Sequence, residues 1–141
     1  MAATRVLLDT GPLVGYVNRN DQYHDWAADC WGALFDAVWT CEAVMSEAIF
    51  LMQSNGLDID PILGLIERRI IRMDFVLDDH RPDVIRLLRK YGDQPMSFAD
   101  ACLVRMAELT DLCQVFTTDR DFLVYRRKGR HVIPLLSPFD R

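Results

Sequence analysis

The sequence predicts an α/β fold in which a parallel sheet is covered by helices on both faces. Three observations predict it. Short apolar runs alternate with stretches of helical periodicity along almost the whole chain, the pattern of strand–helix units feeding a parallel sheet. The 141 residues are half hydrophobic and 26% charged, which suits one domain spanning 1–141 with a real core. Acidic residues stand at or just past the ends of two apolar runs, at Asp9 and Asp119. In sheets of this kind ligands gather beyond the carboxyl ends of the strands.

The elements follow in order. Arg5 to Leu8 contains β-branched Val6 and ends at Asp9, a buried strand. Thr10-Gly11-Pro12 then starts a helix, with proline suited to the first turn, and the helix runs through Leu13, Val14 and Val17. Trp26, Ala27, Cys30, Trp31 and Leu34 fall on one helical stripe within residues 23–35. Ala37 to Thr40 reads as a short strand. Thr40 is positioned to cap a helix over 41–54, which Asn55-Gly56 closes. A further helix starts at Asp58 or Asp60 and passes Leu63 and Ile66. Arg72 to Leu77 reads as a strand, and Arg81 to Tyr91 as a helix stopped by Gly92. Ser97 opens a helix to about Leu109, Gln114 to Thr117 is a strand, and a short helix over 121–126 follows. Gly129 marks a turn. Val132-Ile133 with Leu135-Leu136 forms a last strand, placed at an edge by Pro134.

Composition removes several function classes. No apolar run approaches the roughly 20 residues that cross a bilayer. The first apolar run is broken by Asp9 and preceded only by Arg5, so it is expected to be a strand and not a secretory leader, and a cytoplasmic location is expected. The four cysteines (30, 41, 102 and 113) form no close pair, and the three histidines are scattered, which argues against zinc. A net charge of −5 argues against simple electrostatic binding of nucleic acid. The charge is uneven: residues 1–60 carry nine acids and two bases, residues 61–141 twelve acids and fourteen bases. Arg126, Arg127, Lys128 and Arg130 form a local basic cluster, either an RNA-phosphate contact or a solvated turn. An acidic site that binds a divalent metal, with a basic rim, reconciles these facts.

The acids carry the chemistry. Asp9 is either a helix cap or a ligand at a strand end. Glu47 lies in a helix apolar almost all round, Val44 to Met52, where it is either a buried carboxylate that needs a partner or a metal, the favoured reading, or a Glu on the one wet stripe of the helix. Ser97-Phe98-Ala99-Asp100 matches a capping box, the structural rival to a site role for Asp100. Asp119 and Asp121 sit in a strand-to-helix turn. Gathered in one cleft, such acids repel and raise one another's pKa unless a cation neutralises them. Oxygen-only ligands point to Mg²⁺ or Mn²⁺. The natural chemistry is metal-assisted phosphodiester hydrolysis.

These residues resemble a known family. Val6-Leu7-Leu8-Asp9-Thr10, Glu47, Phe98-Ala99-Asp100-Ala101 and Thr117-Thr118-Asp119-Arg120-Asp121-Phe122 match, in order and spacing over nearly the whole chain, the PIN-domain ribonucleases and among them the VapC-type toxins of toxin–antitoxin pairs. The resemblance implies a three-layer α/β/α sandwich with a mostly parallel central sheet. It implies that Asp9, Glu47, Asp100 and Asp119 form an acidic quartet holding Mg²⁺ or Mn²⁺, with Asp121 in support and Thr10 and Thr117 bonding the acids. It implies endonucleolytic cleavage of RNA to a 5′-phosphate and a 3′-hydroxyl. It also implies control by a cognate antitoxin protein, in a homodimer or a toxin–antitoxin hetero-oligomer.

Three rivals are weighed beside this. The same family contains RNA-processing nucleases that are not toxins. A non-catalytic partner-binding module of the same fold would give no metal-dependent stabilisation. A phosphoacceptor switch needs a lysine after a late strand, and the only lysines, Lys90 and Lys128, follow none.

Overall fold

The computed structural model describes residues 3–139. Its sheet has five parallel strands. They are β1 (Arg5–Leu8), β2 (Val38–Trp39), β3 (Ile71–Arg72), β4 (Cys113–Phe116) and the edge strand β7 (Leu135–Leu136), in the order β3-β2-β1-β4-β7. A small antiparallel hairpin pairs β5 (Arg126–Arg127) with β6 (His131–Val132). The helices are α1 (Thr10–Val17), α2 (His24–Ala33), α3 (Glu42–Ser54), α4 (Asp60–Glu67), α5 (Arg81–Lys90) and α6 (Phe98–Leu109). None of the described helices is long and apolar enough to cross a membrane.

Strand alternation divides the interior into two cores. Val6, Leu8, Val38, Ile71 and Phe116 point to one face, where Leu13, Ala27, Trp31, Met45, Met52 and Ile62 of α1 to α4 pack on them. Leu7 and Val115 point to the other face, against Val84 and Leu87 of α5 and Leu103, Val104 and Ala107 of α6. Helices thus lie on both faces, and Val6, Leu7 and Leu8 are all buried, as a central parallel strand requires. Cys41, Cys102 and Cys113 are buried free thiols.

The chain visits β1, β2 and β3 on one side of the sheet, then crosses to β4 on the other side of β1. The strand order therefore reverses between β1 and β4, and a crevice opens there beyond the strand ends. The β1–β4 ladder sets Leu8 opposite Phe116, so the next residues, Asp9 and Thr117, emerge side by side at its upper end.

Several boundaries differ from the sequence expectation. The strand expected over 72–77 is only Ile71–Arg72, and Leu77–His80 forms a 3-10 turn. Its partner β2 stops at Trp39, so the bond from Thr40 N–H to the Arg72 carbonyl is the last rung available. Phe75 leaves the sheet to join the α5–α6 core and stacks on His80. Thr40 does not cap α3: Cys41 occupies that position, and the Thr40 hydroxyl donates to the Leu8 carbonyl at 2.7 Å, tying β2 to β1. The helix expected over 121–126 is a 3-10 turn at Arg120–Leu123 followed by the hairpin, whose reversal uses positive φ at Lys128 and Gly129. Val132 belongs to that hairpin, leaving Leu135–Leu136 as the edge strand. Pro134 offers its carbonyl to Val115 N–H at 2.8 Å, a bond that needs no donor from proline.

Candidate active site

Asp9 follows β1 directly and caps α1. Its Oδ1 accepts from Thr10 N–H at 2.8 Å, and its Oδ2 accepts from the Thr117 hydroxyl at 2.7 Å. The second bond is a product of strand register, because residue 117 lies level with residue 9 across β1 and β4. Thr117 also accepts from Asp119 N–H at 2.9 Å. One buried hydroxyl therefore fixes Asp9 and the start of the next turn together. Asp119 caps that turn, its Oδ1 accepting from Asp121 N–H at 2.9 Å.

Asp100 enters from α6. The capping box is complete: Ser97 Oγ accepts from Asp100 N–H, and Asp100 Oδ2 accepts from Ser97 N–H at 3.3 Å. The same Oδ2 accepts from the buried Tyr125 hydroxyl at 3.0 Å. Glu47 enters from α3, held by a bond from the Thr10 hydroxyl to its Oε2 at 3.0 Å. Gly11 lets the first turn of α1 lie against the 117–118 loop, since a Cβ there would overlap the Thr118 hydroxyl.

Asp9, Glu47, Asp100 and Asp119 all line one open cleft of about 590 Å³, with Thr10, Gly11, Thr118 and Arg120 among its other walls. Asp9 is 5% and Asp100 6% exposed, so both carboxyls sit at its floor. Burial, and to a smaller degree repulsion from Asp100 and Asp119, raises the Asp9 carboxyl to about 7, against the opposing bond from Thr117. Burial raises Asp100 to about 6, with Asp119 adding repulsion and the Ser97 and Tyr125 bonds opposing. The sequence argument assigned such shifts to mutual repulsion alone; burial is the larger cause. Asp121 does not line the cleft, and its carboxyl is raised by burial and by Asp119.

Two expectations are corrected in their physics. Glu47 is exposed, on a wet face of α3 that also carries Ser46 and Phe50, so burial is not what marks it. The wet-stripe alternative holds, and the sequence pattern leaned to burial because Phe50, at 66% exposure, and Leu51 stand on that face as apolar residues. The basic cluster does not line the cleft either. Arg126 turns its guanidinium to the carbonyls of Leu123, Val124 and Tyr125. Arg127 caps the far end of α6 through Ala107 and Thr110, and Lys128 pairs with Asp111 at 2.7 Å. Arg130 is exposed.

A family model for the PIN domain matches residues 6–128. The chain belongs to the PIN domain family. This PIN domain is similar in structure to the crystal structure of Mycobacterium tuberculosis VapC20, described as a sarcin-ricin loop cleaving toxin. The TM-score is 0.74 at 19% identity, over 92% of this chain and 98% of that chain. At that identity the likeness speaks for the shared fold. No curated relative matches the chain.

The donor set of the PIN cleft is oxygen alone, which suits a hard cation. Among the described residues no three acidic, histidine or cysteine side chains close on one point as a preformed cage. Calcium cages and zinc centres need such closure; magnesium does not. It keeps several waters and binds through one or two carboxylates plus substrate phosphate. Two buried carboxyls with raised pKa values, facing one cleft, fit that mode. Sequence reasoning missed Tyr125, whose hydroxyl orients Asp100 and which no local motif marks. It also missed Arg120, the one cation of the cleft lining, which stands between two acids in Thr118-Asp119-Arg120-Asp121.

Proposed function

We propose that this PIN domain is a Mg²⁺- or Mn²⁺-dependent endoribonuclease acting as the toxin of a type II toxin–antitoxin pair in the cytoplasm. The observation that carries the nuclease reading is the convergence of Asp9, Glu47, Asp100 and Asp119 on one cleft at the sheet's reversal point. Asp9 and Asp100 would bind the metal directly, with Asp119, and Asp121 behind it, supporting it through the ion's waters. A divalent ion there would supply charge neutralisation at the phosphate and a lowered pKa for the attacking water.

The chain's own groups do the rest. Thr10 and Thr117 fix the carboxylates by hydrogen bonds, so they need not reorient when substrate arrives. The bond from Thr10 engages Oε2 of the exposed Glu47, so its Oε1 is available to take a proton from water attacking phosphorus. The P–O3′ bond then breaks and the departing 3′ oxygen takes a proton from solvent water, leaving a 5′-phosphate and a 3′-hydroxyl.

The toxin reading rests on the fold shared with VapC20, a toxin by its description. A cognate antitoxin has a landing surface beside the site: Phe50 and Leu51 of α3 are exposed next to Glu47, and Leu51 lines the cleft. The test is cleavage of single-stranded RNA with and without Mg²⁺, using Asp100→Asn as the inactive control. Cleavage that survives both EDTA and the substitution overturns the assignment.

A further inference from the structure

Five of the residues lining the cleft are acidic, namely Asp9, Asp21, Glu47, Asp100 and Asp119, and this lining would repel a phosphodiester chain. Arg120 is the single cation among them. It lies between Asp119 and Asp121 in sequence, yet among the described residues its guanidinium makes neither an ion pair nor a hydrogen bond with either. Instead it lies 4.3 Å over the ring of Phe139. Its exposed guanidinium thus keeps its donors unused. By contrast Arg5, Arg81, Arg86 and Arg105 are all ion-paired, and Arg126 and Arg127 are consumed by backbone carbonyls.

Resting on the nuclease reading, we propose that Arg120 is the residue that holds the RNA backbone in this cleft, through a phosphate next to the scissile one. A guanidinium offers a planar fork of donors that matches two phosphate oxygens. Stacking on an aromatic face orients that fork without consuming its N–H groups. Phe139 is then the positioning residue: it keeps Arg120 from collapsing onto Asp119 or Asp121. None of the basic hairpin at 126–130 lines the cleft, and Arg126, Arg127 and Lys128 are engaged elsewhere.

The test is binding of a short fluorescein-labelled single-stranded RNA, read by anisotropy in Ca²⁺ across a salt series, beside cleavage kinetics in Mg²⁺. Arg120→Gln is expected to weaken binding about tenfold or more, as loss of a charged hydrogen-bonded contact does. KM should rise with kcat nearly unchanged. The slope of log affinity against log salt should flatten by about 0.7, the loss of one single-strand phosphate contact. Arg120→Lys should restore the salt slope and part of the affinity, and Phe139→Leu should weaken binding while leaving the slope in place. Unchanged affinity and slope in Arg120→Gln overturn the proposal, as does a fall in kcat alone. Failure of the wild type to cleave defeats the nuclease reading, while the binding arm still judges Arg120. Absence of any RNA binding defeats both.

Discussion

Replacing Asp9 by asparagine should stabilise the metal-free protein at neutral and higher pH. The side chain is buried, and its carboxyl is raised from 3.8 to about 7. At 1.36 kcal/mol per pH unit, holding it ionised in the folded chain costs on the order of 4 kcal/mol. The sign follows from linkage: a carboxyl raised on folding contributes its stability in full below its unfolded value and loses it as pH climbs through the folded one. Wild-type protein in EDTA should therefore lose stability between about pH 4 and about pH 7, and Asp9→Asn should lose less, keeping only the smaller fall that Asp100, raised to about 6, contributes. At about pH 8 the variant should melt higher by roughly 10 °C, at about 3 °C per kcal/mol for a domain of this size. Near pH 5 the gap should largely close. Mg²⁺ should raise the wild-type melting temperature at pH 8 and raise the variant's by less, because one of the charges the ion offsets is gone while Asp100 remains. The assay is thermal melting followed by circular dichroism over that pH range. Parallel pH profiles for the two proteins in EDTA would refute the argument that Asp9 is held as a buried, strained charge.

Further outcomes follow from the same bonds. Tyr125→Phe removes a donor that holds the Asp100 carboxyl down, so that carboxyl should rise above about 6 and the pH at which Mg²⁺-induced stabilisation appears should move up. Thr117→Val leaves Asp119 N–H without its acceptor and Asp9 without its donor, which should cost about 1–3 kcal/mol in urea unfolding and abolish most cleavage. Gly11→Ala drives a methyl into the Thr118 hydroxyl and should lower the urea midpoint by the equivalent of about 1–3 kcal/mol. Arg127→Gln strips the cap from the end of α6 and should reduce stability while leaving the RNA affinity of the folded protein unchanged.

The layered fold was legible because its signals are periodic and local. Strand β1, helix α3 with its closing Asn55-Gly56, and the Ser97 cap of α6 each follow from residue pattern and end chemistry. What was not legible depends on partners distant in sequence. Strand β3 is short because β2 ends at Trp39, which no residue of β3 announces. Phe122 and Tyr125 are both fully buried in the α5–α6 core, and the chain between them turns as a 3-10 segment instead of a helix. In the site, the acids were legible as single residues, but their floor and rim positions were not. Glu47 looked buried because Phe50 and Leu51 made its helix look apolar on every side. Arg126 and Arg127 looked available because sequence does not show the carbonyls that take them up, of the 123–125 turn for Arg126 and of the end of α6 for Arg127.

For Asp9 and Asp100 the helix cap does not compete with the proposed ligand role. Each accepts backbone N–H bonds that complete a helix start, and each is pinned a second time by a hydroxyl from another part of the chain, Thr117 for Asp9 and Tyr125 for Asp100. An ionised carboxylate has about four lone-pair positions, so two bonds leave room for a cation and its waters. The cap bonds also fix direction: a carboxylate tied to a helix N-terminus stands at the strand end, where the crevice opens. The same contacts that begin α1 and α6 therefore aim two acids into one cleft before any substrate is present. A cap serving stability alone would tolerate serine or asparagine at either position. The burial that raises both carboxyls makes an ionised acid there a liability to the metal-free fold at neutral pH, a liability that the cation of the proposed function would lift.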